Sequence, residues 1–454
     1  MKLFRKDSYV STWLRHAWEI CNNELKMIFT DGGAVIIFFI GGLLYPVLYN
    51  YVYGVGMVND MPVAVVDMCH SSDSRRFVNK VDATRECEIA YDCIDMLEAE
   101  RLMQEQKVHG IIYIPSDFSD KLAHLEQATI STYADMSSFL YYKCLTMGTS
   151  YVMLDELTTI QAEHYAAAGF SGEDAAMLLE PVRREENIPY NPAFSYTIFF
   201  LAAALMLAIQ QTLFYGSALL AGTLREQNRS FASLPDRLQG VGMGRVVLGR
   251  AWAYMMVYTF VGTVVLFLVP WLFQYPQRAD MWEVFILMLF FVADCIFFSF
   301  TWSTLIRRRE TVFVLFLFMS PVLMFLSGVT WPESAFPDGW RWFSYLFPST
   351  FGCRAFMNLN TAGGTIQTIE PQLFWITIQT VSYYMTANIA VFLENRVIHK
   401  RREIQAARDR IAGRIGINRD KDAYYIGGRE AVEDLHARRE GNYGTGENKV
   451  YPGN

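Results

Sequence analysis

The sequence predicts an α-helical polytopic membrane protein with six transmembrane helices and an extracytoplasmic α/β domain inserted between the first and second spans. Three observations predict it. Six stretches of about 20 mainly apolar residues, long enough to cross hydrocarbon, lie near 33–53, 194–222, 246–270, 282–306, 311–329 and 372–393. Residues 54–190 hold 10 Lys/Arg against 23 Asp/Glu, whereas the rest of the chain has a basic excess. Basic groups flank the spans on alternate sides. They are Arg15 and Lys26 before the first, Arg225, Arg229, Arg237 and Arg245 after the second, Arg307, Arg308 and Arg309 after the fourth, and Lys400, Arg401 and Arg402 after the sixth. The positive-inside rule puts all four groups and both termini in the cytoplasm, which six crossings permit.

Each element follows in order. Residues 1–32 read as a cytoplasmic, interfacial amphipathic helix, and the apolar run at 33–53 starts too late to be a cleaved signal. In the insertion, 54–190, MPVAVVD (61–67), ECEIAYD (86–92), VHGIIYIP (108–115) and ATISTYAD (128–135) read as strands. SSDSRRFVNKV, IDMLEAERLMQEQ and SDFSDKLAHLE between them read as helices, the last with a Ser116/Asp117 cap. Strand and helix alternate, hence α/β. The pattern turns helical from 138 to 180, and NIPYNP (187–192) breaks it before the second span. The five remaining spans occupy 191–395, the last diluted by Gln379, Thr380, Ser382 and Asn388. Within that region 330–370 is rich in Trp, Tyr, Phe and Pro and reads as a re-entrant or interfacial segment. Residues 396–454 form a cytoplasmic tail whose first half suits anionic headgroups.

No catalytic pattern emerges. GVGMGRVVLGR (240–250) lacks the Lys-Ser/Thr of a phosphate loop and reads as a site of close helix packing. No Cys or His spacing suggests a metal, and nothing suggests nucleic acid. Cys69 and Cys93 each close a strand-like run, and either meet in a disulfide or stay buried thiols. Asp294, Gln210 and Gln211 sit in mid-span, where a carboxylate costs about 2.5–3.5 kcal/mol and must face the bundle interior, a partner or water. Two readings stay open: contacts for a translocated substrate or proton, or hydrogen-bonded glue joining Asp294 to the Gln pair or a helix terminus. Finally, AGTLREQNRSFASLPDR (221–237) interrupts two spans. As a helix over 223–234 it gathers Leu224, Phe231 and Leu234 on one face, turns Arg225, Glu226 and Arg229 elsewhere, and ends at Pro235.

The arrangement resembles the permease subunits of type-2 ABC exporters that carry a large periplasmic domain, as in multidrug efflux. Glu24 through Asp31 resembles the family's entry into the first span, Ile114 to Leu122 its Ile-Pro…Asp-Phe-Ser segment, and Arg225, Glu226 and Leu234 its coupling segment. Ser327, Gly328, Pro332, Pro337, Pro348 and Thr350 resemble the signature before its last span. The family's Gly-Thr step is replaced here by Ser230-Phe231.

The resemblance implies a permease without its own ATPase motif, moving a hydrophobic or amphipathic substrate such as a drug or lipid outward across a bacterial inner membrane. It implies a second permease copy or paralogue, a separate ABC ATPase subunit carrying the ATP and magnesium, surrounding lipid, and a periplasmic adaptor. It also places Leu224, Arg225, Glu226, Arg229, Phe231 and Leu234 on the ATPase; on the transport reading of the residues themselves, Gln210, Gln211 and Asp294 are candidates for the translocation path, and Ser327, Gly328, Pro332 and Pro348 for its outer mouth. The alternative is a membrane-anchored receptor whose outer domain binds a ligand, for which six spans are more than an anchor needs.

Overall fold

The computed structural model describes residues 9–53, 58–124, 126–170, 177–179, 191, 195–227, 229–231, 234, 238 and 242–414. Most of the expected break at 187–192, and the tail beyond 414, lie outside the described residues.

Two folding units follow from two hydrophobic periods. In the insertion, strands β1 (Met61–Asp67), β2 (Cys87–Asp92), β3 (Gly110–Ile114) and β4 (Ser131–Ala134) form one sheet in the order β2-β1-β3-β4. β1 runs parallel to both neighbours, and β4 pairs antiparallel with β3. Parallel neighbours require crossovers, and the helices at Ser72–Asp82 and Met96–Gln104 supply them. β1 alternates its two faces: Met61, Val63 and Val65 pack with Phe77, Val81 and Leu145, while Ala64 and Val66 pack with Ala99, Leu102 and Ile111. The expected strands and helices are therefore present, with shorter ends. The long helix Phe139–Ala167 is pinned to Ser72–Asp82 by Glu156, which accepts from Arg76 at 2.9 Å and lies 2.7 Å from Lys80 Nζ.

One detail differs from expectation, and one pair of open readings narrows to a single one. Asp117 stands at the N-cap of Phe118–Ala123 without a capping hydrogen bond, because its carboxylate pairs with Lys121 at 2.7 Å. Cys69 and Cys93 are free thiols, not a disulfide. Cys93 packs with Ala64 and Val66, and Cys69 with the cluster of Met61, Val63 and Val65, so the two lie on opposite faces of the sheet.

The second unit is a helical bundle. Four described helices are long and apolar enough to cross a membrane: α1 (Gly32–Val52), α2 (Phe200–Glu226), α3 (Met243–Leu272) and α4 (Met281–Ser303). A fifth, α5 (Arg309–Leu326), qualifies if its halves, bent by 41°, count as one span. Pro321 lies inside it and cannot donate to the carbonyl of Leu317, which weakens that turn. Six spans were expected, so the count by length and apolarity is four, or five. The sixth stretch does form a helix, α6 (Glu370–Arg414), but its amides and hydroxyls dilute it. α2 is the axis of the bundle, with 94% of its most apolar window buried, against 22% for α1. An N-terminal helix, Tyr9–Thr30, lies along α3, where Gly249 permits the contact: a Cβ there would fall 2.9 Å from Ile20. Gly249, within the glycine-rich run, is thus a packing position.

Candidate functional site

The charged end of the bundle is built by helix termini, where backbone groups lack helical partners. Asp31, between the N-terminal helix and α1, caps α1 by accepting from the N–H groups of Gly33 at 3.0 Å and Ala34 at 3.1 Å. The same carboxylate accepts from Arg309 Nη2 at 3.1 Å and from Thr223 Oγ1 at 3.3 Å, and so joins α1 to α2 and α5. Glu226 accepts from the Arg309 N–H at 3.0 Å. Arg225 donates to Glu394 on α6 at 2.9 and 3.2 Å, to the Ser303 carbonyl at 2.5 Å, and to the Ile306 carbonyl. That guanidinium therefore satisfies the frayed end of α4 while bridging α2 to α6.

A second layer lies beneath. Arg250 of α3 and Glu24 of the N-terminal helix form an ion pair at 3.1 Å, both nearly inaccessible. Tyr254 donates to Glu24 at 3.1 Å. The Arg250 guanidinium lies 4.2 Å from the centre of the Phe231 ring, which packs on Phe300 at 4.9 Å. Such cation–π contacts strengthen when desolvated. The Phe231 N–H donates to Glu394 at 3.3 Å, and Ser230 donates to Asn395 at 2.8 Å.

This corrects the expected helix at 223–234. α2 continues through Glu226, and the described residues Gln227, Arg229–Phe231 and Leu234 are non-helical. Leu224 and Phe231 are buried in the bundle instead of forming an outward apolar face. The cause is local: Arg225 and Phe231 find stronger partners in α4, α3 and α6 than one amphipathic turn would offer. Glu226 and Arg229 remain exposed at the surface of this junction.

A groove runs between α1, α2 and α5. It holds a cavity of about 330 Å³ reaching Ile40, Leu44 and Phe313, and another of about 240 Å³ reaching Tyr49, Phe200 and Pro321. Both are lined by Tyr45, Ala208 and Gln211. Gln211 accepts from Ser320 at 3.0 Å, and Tyr45 donates to Tyr49 at 2.6 Å, so a few polar groups punctuate an apolar wall. Of the three mid-span candidates, only Gln211 faces it. Gln210 and Asp294 are fully buried, and among the described residues neither side chain has a hydrogen-bond partner. The expected bond from Asp294 to the glutamines is not made.

Residues expected at the outer mouth form a packed cap. Gly328 has φ +80°, and a Cβ there would lie 3.1 Å from the Arg354 guanidinium, so the position needs glycine twice over. Ser327 is buried and donates to Met324 at 2.7 Å. Pro348 opens the helix Pro348–Phe356 at its first position, where no N–H is needed, and Thr350 donates to the Ser344 carbonyl at 2.6 Å. Arg354 pairs with Glu333, which also accepts from Tyr345 at 2.5 Å. Pro332 stays exposed. No group of three or more His, Cys, Asp or Glu able to hold a metal occurs among the described residues.

The family described as ABC-2 family transporter protein matches residues 33–389, from α1 into α6. The chain belongs to that family. Comparison with curated proteins returns no individual relative. As an ABC-2 member the chain is a membrane permease component of an ABC transporter, and the family selects this reading over a receptor. Among the residues that organise the ABC-2 junction, Arg250 and Glu394 escaped sequence reading, and Arg309 was marked only as a basic flank of a span. Their partners lie 226, 278 and 169 positions away by the pairings Glu24–Arg250, Asp31–Arg309 and Arg225–Glu394, so no local pattern marks them. The only available signal was a charge adjoining an apolar run.

Proposed function

We propose that this permease is half of an exporter, energised at its charged junction by a separate ABC ATPase and moving hydrophobic or amphipathic substrates outward along the groove. The observation that carries it is the junction. One connected set of side chains ties the N-terminal helix, α1, α2, α5 and α6, so a push on the exposed Glu226–Arg229 turn reaches all of them. In this reading α6 supplies a sixth crossing, both termini are cytoplasmic, and the α/β domain is outside, available to an adaptor. The exposed apolar side chains of α1 and α5, including Ile40, Leu44, Leu317 and Phe318, suit a second permease copy that closes the groove.

The test is co-purification. Phe231 is a poor probe because it is core, whereas Arg229 is exposed. Arg229→Glu should sharply reduce recovery of the ATPase while leaving the permease's melting temperature unchanged. Full recovery of a stimulated ATPase with that variant would end the coupling assignment. Gln211→Leu, lining the groove, should alter transport without altering ATPase recovery; unchanged transport of every substrate would remove the groove from the route.

A further inference from the structure

A further cavity belongs neither to the groove nor to the junction's exposed turn. It holds about 580 Å³ between the end of α4 and the second half of α6, with the Arg225–Glu394 pair at its polar side. Its walls are amphipathic. Leu305, Ile389, Leu393 and Val397 are all more than half exposed there and give it a continuous aliphatic wall. Arg307 and Arg401 line the same cavity, are exposed, and have no ion pair or side-chain hydrogen bond among the described residues. Arg225 and Arg309 nearby are, by contrast, both held by carboxylates.

An apolar slot ending in two uncommitted guanidiniums complements one ligand shape, an acyl chain below a negative headgroup. A protein partner would have to bring both an apolar ridge and two acids to the level where α4 ends its hydrophobic run. A bilayer lipid brings both by construction. We infer that this cavity is a binding site for an anionic phospholipid of the surrounding bilayer, its headgroup on Arg307 and Arg401 and its chain along Leu305, Ile389, Leu393 and Val397. The lipid would lie against Arg225–Glu394, the link between α2 and α6, so its occupancy would brace the end of the bundle from outside. This inference does not depend on the direction or substrate of transport.

Native mass spectrometry of the full-length protein in detergent, titrated with phosphatidylglycerol or phosphatidylcholine, tests it. Phosphatidylglycerol should remain bound in preference to phosphatidylcholine. Each of Arg307→Gln and Arg401→Gln should weaken it about fivefold, and the pair about thirtyfold, as expected for one cation each near a charged headgroup. Both residues are exposed, so folding is retained and melting temperature checks it. Ala390→Trp, which fills the slot and leaves both arginines, should also expel the lipid. Equal retention of the two lipids, or indifference to the double variant, would overturn the site. Binding that survives Ala390→Trp would reduce it to diffuse surface attraction. Displacement by soluble glycerol phosphate alone at the lipid's own concentration would point to a free phosphate ligand and overturn the lipid assignment. Loss of the cavity to a second copy of the chain, seen as dimer mass without lipid, would also overturn it.

Discussion

Glu24 and Asp294 are carboxylates of the same bundle, 1% and 0% exposed, yet only Glu24 has a cation beside it. Glu24 lies where two helices meet near the charged end, with Arg250 and Tyr254 converging on it. Asp294 lies in the middle of α4, fully buried, and finds no partner among the described residues. The difference teaches where this molecule fixes its geometry. In the bundle the ion pairs gather toward its charged end and in the opposite cap, where they choose which helix neighbours which. Its interior is left to packing and, among the described residues, to one acid without a partner.

The comparison can be broken most decisively at its paired side. Arg250→Ala strands the Glu24 carboxylate and removes the guanidinium from Phe231. It should cost about 3–5 kcal/mol in unfolding of the detergent-solubilised protein, and Glu24→Gln added to it should recover much of that loss. A cost below about 1 kcal/mol would mean that the pair is not a fixed joint.

Gly328→Ala probes the opposite cap, where backbone strain replaces charge. A side chain at φ +80° and contact with Arg354 should lower stability by about 1–3 kcal/mol, read as a drop in melting temperature.

The α/β domain offers a milder, pH-dependent version of the paired case. Burial would raise the Glu156 carboxyl, but hydrogen bonds from Arg76 and Lys80 outweigh it and hold it below the ordinary value. A carboxyl depressed on folding stabilises above its unfolded pKa, about 4.3, and loses that contribution as pH falls through the lower folded value. The stability gap between wild type and Glu156→Gln should therefore be constant near neutral pH and narrow below about pH 4. A gap that widened on acidification would contradict the assignment.

Asp294→Asn should do least. It preserves shape, removes a carboxyl that has no partner among the described residues, and should leave stability unchanged or raise it. A loss comparable to that of Arg250→Ala would show that Asp294 holds a partner in the assembled transporter, and would erase the contrast between the two sites.

The α/β alternation of the insertion and most helices of the bundle were legible in the sequence because they are written in local periods. MPVAVVD and its companions repeat as strands do, and the spans announce themselves by length and apolarity. The site was legible only in outline. The stretch at 221–237 was marked by its charge between apolar runs, but its helix was misread, since the residues spaced for an amphipathic face are those that tertiary partners pull inward. Gln211 and Gln210 are adjacent in sequence, and only packing decides that one meets the groove and the other does not.

By itself, then, the sequence determined which segments leave water, which form the sheet and its crossovers, and where charge interrupts hydrocarbon. Those properties depend on hydropathy and backbone preference within a few turns of chain. Tertiary structure alone decided that Asp31 answers Arg309, that Arg225 closes the end of α4 onto Glu394, and that Cys69 and Cys93 lie on opposite sides of a sheet. Such choices are made by groups well separated along the chain competing for the same partner, and a linear pattern does not record who wins.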